Sequence, residues 1–189
     1  LTEKKYSEAE AEFTRALELS KENPRIYAGM GEVYFSKKLF DDALAQFKRS
    51  IEIKPSESAY HAKLAKTYVA KGLLKEAEET YNNVLTVDPK NDEAYYGVGL
   101  IRIKESNTVK AIESVERAVS LNPKVYKYHK ALSDLFVDSG DLVRARKETE
   151  EAIRLKKDDP NLHLSLGELL FKMGKEEEGI KAFKTSVEL

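Results

Sequence analysis

The chain has 189 residues and a formal net charge of −1, from 32 basic and 33 acidic side chains. That balance lacks the basic excess of a dedicated nucleic-acid module, so no nucleic-acid partner is expected. The absence of cysteine excludes disulfides, thiol nucleophiles and cysteine-ligated zinc. A content of 41% hydrophobic and 34% charged residues, with few glycines and prolines, suits surface-rich helices better than a compact sheet protein. No apolar stretch approaches the ~20 residues that span a bilayer, so membrane insertion is not expected. The chain opens on Leu1 without a signal-peptide pattern. The expectation is a fragment of a longer, soluble, cytoplasmic protein.

In chain order, "YSEAEAEFTRALEL" (6–19) predicts a lone helix. From residue 24 the sequence repeats. The blocks "YAGMGEVY", "HAKLAKTY", "YYGVGLIR", "HKALSDLF" and "HLSLGELL" begin at 27, 61, 95, 129 and 163, each 34 residues after the last without a gap. A second column holds Ala43, Ala77, Ala111, Ala145 and Gly179; a third holds Phe47, Tyr81, Val115, Thr149 and Phe183.

Each period predicts two helices. In the first, residues such as Tyr27, Met30, Gly31 and Tyr34 recur three, four and seven apart, which forms one helical face. Gly72, Gly140 and Gly174 mark the break, where glycine ends a helix in the left-handed conformation. In the second, Phe40, Ala43, Leu44, Phe47 and Ile51 make one stripe, and all five prolines sit at repeat junctions. Gly31, Ala65, Gly99, Ser133 and Gly167 are small where the two helices of a pair would cross closely.

With these columns the chain resembles the tetratricopeptide repeat (TPR) family over its whole length. The resemblance implies an all-α TPR solenoid, a right-handed superhelix of antiparallel helix pairs with about eleven helices. As a single array it would comprise the second helix of a truncated repeat (1–23), repeats at 24–57, 58–91, 92–125 and 126–159, and a last repeat, 160–189, lacking a capping helix. Several positions depart from the family pattern. Arg102 stands where an aromatic is usual, "KESN" (104–107) replaces a glycine turn, Thr149 and Lys157 replace an aromatic and a proline, and Gly179 weakens the last helix.

Candidate chemistry is sparse. His61, His129 and His163 share the column of Tyr27 and Tyr95, so they are expected to be packing rings at repeat junctions; no metal site is expected. "GMG" (29–31) and "GVG" (97–99) do not continue as a dinucleotide fingerprint and lie inside helices. The carboxylate runs lie on outward helix stripes, often with lysine four residues away. No catalytic residue and no cofactor are expected.

The resemblance does imply a concave binding surface lined by first helices. Carried over position by position, it marks Phe35, Lys66, Val69, Tyr96, Leu100, Ile103, Lys104, Lys130, Asp134 and Val137 as the candidate groove. These positions are expected to be exposed, with Val69, Tyr96, Leu100, Ile103 and Val137 forming an apolar strip. The alternative is that the strip packs on neighbouring helices of the array itself. The expected partner is a protein or peptide, such as an amphipathic helix with charges of both signs. The lysine–asparagine clamp of chaperone-binding TPR domains is absent, since the equivalent positions read Glu32, Lys66, Leu100, Asp134 and Glu168. Phe13, Ala16 and Leu17 at one end, and Ile180, Phe183 and Val187 at the other, are expected to be partly uncovered, which predicts homo-oligomeric contacts or continuation of the array. The functional expectation is a non-enzymatic scaffold or adaptor; a self-association module and the regulatory arm of a larger enzyme or signalling protein stay open.

Overall fold

The computed structural model describes residues 2–189, with side chains from Lys5 onward. Among these residues there are eleven helices and no strand. They are α1 (Thr2–Leu19), α2 (Pro24–Ser36), α3 (Phe40–Ile53), α4 (Ser58–Lys71), α5 (Leu74–Val87), α6 (Asp92–Lys104), α7 (Thr108–Leu121), α8 (Tyr126–Asp138), α9 (Leu142–Leu155), α10 (Pro160–Lys172) and α11 (Glu176–Glu188). First helices begin at 24, 58, 92, 126 and 160, and second helices at 40, 74, 108, 142 and 176, so both series keep the 34-residue period. The chain divides into two compact units, Leu1–Lys90 and Asn91–Leu189.

The predicted close crossings are present, with a sharper cause. A Cβ added at Gly31 would meet the Phe47 ring at 2.6 Å, one at Gly99 would meet Val115 at 2.6 Å, and one at Gly167 would meet Phe183 at 2.4 Å. The small column therefore makes room for the third column, sixteen residues later, rather than for the alanines. In α8 and α9 the pair is Ser133 and Thr149, whose hydroxyls lie 2.6 Å apart in the interior. Thr149 is thus a matched substitution, not a local irregularity: two buried hydroxyls satisfy each other where glycine faces an aromatic elsewhere. Gly29 and Gly179 have similar reasons, since a Cβ at Gly29 would reach Phe13 at 2.4 Å and one at Gly179 would reach Phe171 at 2.5 Å. Gly179 makes room for a ring that stacks on Phe183 at 5.5 Å.

The turn inside each pair has one backbone shape. Lys38, Gly72, Ser106, Gly140 and Gly174 all have positive φ, at 61°, 86°, 58°, 82° and 73°. The following residue donates its N–H to a carbonyl five residues back in every repeat: Leu39 to Tyr34, Leu73 to Tyr68, Asn107 to Arg102, Asp141 to Phe136 and Lys175 to Leu170, at 2.8–2.9 Å. This is the hydrogen bond that closes a helix on a left-handed residue. "KESN" lacks glycine and still makes the turn, with Ser106 carrying the unfavourable conformation.

The second helices α3, α5, α7 and α9 bury a further row that the repeat columns did not single out: Ser50, Val84, Ala118 and Ala152 are at most 3% exposed, whereas Ser186 of α11 is half-buried. In the first unit, Ala43, Leu44, Phe47 and Leu64 form a core flanked by Tyr34, Phe35, Ile51 and Tyr68. In the second, Val115, Tyr128, Leu132, Leu135, Phe136 and Leu169 anchor a larger one.

Two stability predictions follow from this packing. Ser106→Gly relieves the left-handed serine and should stabilise the protein by about 0.5–1 kcal/mol in urea denaturation. Thr149→Phe alone crowds Ser133 and should cost about 1–3 kcal/mol. Combining it with Ser133→Gly recreates the Gly31–Phe47 arrangement and should recover at least about 1 kcal/mol, read as the coupling energy of a double-mutant cycle.

Candidate functional site

The histidines are junction groups, as their column implies. The Nε2 of His61 donates to the Pro55 carbonyl at 2.8 Å, that of His129 to Pro123 at 2.9 Å, and that of His163 to Lys157 at 3.1 Å. The Tyr27 hydroxyl does the same to Lys21 at 2.9 Å. Each ring thus ties its helix to a carbonyl six residues earlier, in the linker that joins repeats. A guanidinium lies over the ring of each tyrosine, Arg49 on Tyr27 at 5.9 Å and Arg117 on Tyr95 at 5.8 Å. The corresponding residue of the His129 repeat is Glu151. Among the described residues no group of three or more metal-binding side chains converges.

His129 differs from the other two in burial, being 5% exposed, and in a second bond: its Nδ1 donates to the Glu148 carboxylate at 2.7 Å. Both ring nitrogens therefore face acceptors, which favours the imidazolium. The hydrogen bond to Glu148 is the main force raising its pKa; the Pro123 carbonyl and the charges of Glu148 and Glu151 act the same way, and burial opposes them. A raised folded-state value means a stabilising contribution that is complete below the ordinary histidine range and lost as pH climbs through the folded value. The stability advantage of the native chain over His129→Gln should therefore shrink as pH rises from 6 to 9, measured by urea denaturation at each pH.

A groove of about 710 Å³ lies in the second unit, lined by α6, α8 and α10. It brings together five of the expected residues: Tyr96, Leu100 and Ile103 from α6, and Lys130 and Asp134 from α8. Leu164 of α10 joins the apolar side, 43% exposed, and Ile103 is 40% exposed. Lys130 donates to Asp134 at 2.7 Å. Val137 lines a smaller adjoining cavity of about 250 Å³ between α8 and α10, together with Asp134, Asp138, Glu168 and Leu169. Lys104 is exposed in the last turn of α6.

Tyr96 anchors the groove floor. Its ring packs on that of Tyr128 with centroids 4.8 Å apart, and it belongs to the rim of the second unit's core. Burial above all, with the nearby Asp134 and Tyr126, pushes its phenol pKa up, so the hydroxyl stays neutral and able to donate. Tyr128 is fixed in turn by donating to Asp92 at 2.9 Å, a carboxylate that also accepts from the Asn122 amide at 3.1 Å.

Phe35, Lys66 and Val69 belong to the first unit. The Lys66 ammonium sits over the Phe35 ring at 5.2 Å, and Phe35 also meets Phe40 at 5.7 Å. The expected exposure fails for Val69, which is 7% exposed. Ala62, Ala65 and Val69 recur three and four apart on one face of α4, and all three are buried because α4 packs between α3 and α5. Phe35, Tyr96 and Val137 are half-buried against the cores of their units. The apolar strip is thus partly core: of its members Leu100 is half-buried and Ile103 is exposed. Exposed Leu164 of α10, not counted in the strip, lies beside them in the groove.

Tyr126, Asp159 and Ser165 also line the groove and were not expected there. Tyr126 had a sequence signal: it opens its repeat where Pro24, Ser58, Asp92 and Pro160 stand. The Lys156 ammonium covers its ring at 4.6 Å and pairs with Asp159 at 2.8 Å.

Tetratricopeptide repeat sequence models match residues 1–67, 40–99, 92–125 and 160–189. The chain belongs to the tetratricopeptide repeat family, and proteins of this family are interaction scaffolds that bind other proteins. Among solved structures it is similar to MamA, with 26% identity over 84% of this chain and 93% of that one, at a TM-score of 0.71. A crystal structure of YrrB, described as a TPR protein with an unusual peptide-binding site, aligns at 20% identity over 93% and 91% of the two chains, with a TM-score of 0.63. PilF of Pseudomonas aeruginosa aligns at 20% identity over 87% and 75%, with a TM-score of 0.79. The last two likenesses concern the fold alone. No curated protein matches the sequence. No described helix is long and apolar enough to cross a membrane.

Proposed function

We propose that this chain is a non-enzymatic interaction scaffold whose second unit takes a peptide or helical segment of a partner protein in the α6–α8–α10 groove. The observation that carries the reading is the groove itself. It is a concavity of about 710 Å³ in which exposed apolar side chains, Ile103 and Leu164, lie beside Tyr96 and charged groups of both signs. Apolar grooves with a few convergent polar groups are the usual form of such sites, and apolar anchors supply the affinity. The peptide-binding site named for YrrB gives the reading a precedent in the same fold.

The test is selection of a displayed library of short peptides on the 189-residue chain, with binders mapped by amide NMR shifts. Binders should shift Leu100, Ile103 and Lys130. Leu100→Glu and Ile103→Glu should each weaken them by about tenfold or more, since a buried apolar anchor contributes ~1.5–3 kcal/mol, while leaving the melting temperature nearly unchanged. Binders that map elsewhere, or that survive both changes, overturn the proposal.

A second reading, self-association, is supported by α11, where Ile180 is 47% and Val187 87% exposed. Light-scattering mass should then rise with concentration, and Ile180→Lys with Val187→Lys should abolish the rise. A constant monomer mass overturns it.

A further inference from the structure

We infer that the α8–α10 end of the groove receives one arginine side chain of the bound peptide, next to a large apolar residue held at the α6 end; this rests on the groove being the peptide site proposed above. The smaller cavity, about 250 Å³, has apolar walls in Val137 and Leu169 and carboxylates in Asp134, Asp138 and Glu168, with Lys172 the one cation in its lining. Asp134 is already engaged by Lys130. Asp138 and Glu168 are exposed, and among the described residues neither has a hydrogen-bond or ion-pair partner. Counting Lys130 and Lys172 against the three carboxylates leaves one negative charge in excess, which a single cation neutralises.

The walls decide what kind of cation fits. Val137, half-buried at the cavity's side, can pack along the methylene stem of a long basic side chain while its head remains at the carboxylates; Leu169, 2% exposed, only closes the floor. A guanidinium, planar and with five donors, can meet two carboxylates at once, whereas an ammonium is a point charge. Leu100, Ile103 and Leu164 in the adjoining larger cavity provide the neighbouring apolar seat. An acidic segment would add charge to an already anionic pocket and is disfavoured by the same balance.

The probes are synthetic peptides of about twelve residues, capped at both ends, carrying one leucine and one arginine two to four positions apart. Each is matched by a copy with citrulline, which keeps the shape of arginine and removes its charge. Fluorescence anisotropy on the whole chain should find arginine peptides about tenfold tighter than their citrulline copies, with a preference that fades as salt is raised. Asp138→Asn with Glu168→Gln should erase that preference, leave citrulline binding unchanged, and leave melting unaltered because both side chains are exposed. Equal binding of the two series, or a preference that survives the double variant, overturns the inference while the groove reading stands, provided Ile103→Glu still abolishes binding. Failure of both series to bind overturns both.

Discussion

The arrangement depends on one steric exchange found inside three of the five helix pairs. The first helix gives up its side chain where the second helix places a bulky one, so that Gly31 faces Phe47, Gly99 faces Val115 and Gly167 faces Phe183. Interiors pack too densely to accept a methyl where a ring already sits, so the exchange sets how closely the two helices approach. In the second unit it holds α6 against α7 and α10 against α11, and the Ser133–Thr149 hydroxyl pair does the same for α8 and α9. The groove is lined by the other faces of α6, α8 and α10. Its width is therefore inherited from contacts that no ligand touches.

A second constraint operates between repeats. In four of the five repeats a ring at the start of the first helix (Tyr27, His61, His129 and His163) bonds to a carbonyl of the preceding linker. Around Tyr27, Tyr95 and His129 the charged neighbours suit the ring. Tyrosines 27 and 95 carry a guanidinium over their faces, while His129 is set among the carboxylates of Glu148 and Glu151. Cations attract the neutral aromatic face and would repel an imidazolium. Scarce histidines in this chain thus serve the joints of the array.

How much of this was legible follows from which forces are periodic. Helix starts, the small column and the left-handed glycines recur every 34 residues, and their positions could be read from spacing alone. Val69 could not be placed, because its burial depends on α4 having neighbours on two sides, which a single helical wheel does not show. Thr149 looked like a defect because its compensating partner lies sixteen residues away on another helix. Five of the ten candidate groove residues meet in one cavity, and Val137 lines the next one. Tyr126 is not legible as a groove residue from its position alone, because an aromatic at the head of a helix gains meaning only from the groove edge it forms.

The closing turns carry an evolutionary consequence. Their form is set by a backbone bond spanning five residues, made equally by glycine, lysine and serine at the left-handed position. Side chains there can drift freely at a small energetic toll. Inserting or deleting one residue is a different matter: it breaks that bond and rotates the following helix by about 100°, which carries its alanine row and its bulky column away from their seats. Such an array can grow by copying whole 34-residue units and diversify by point substitution, but its unit length is locked. The unbroken period from Pro24 to Pro160 is the trace of that lock.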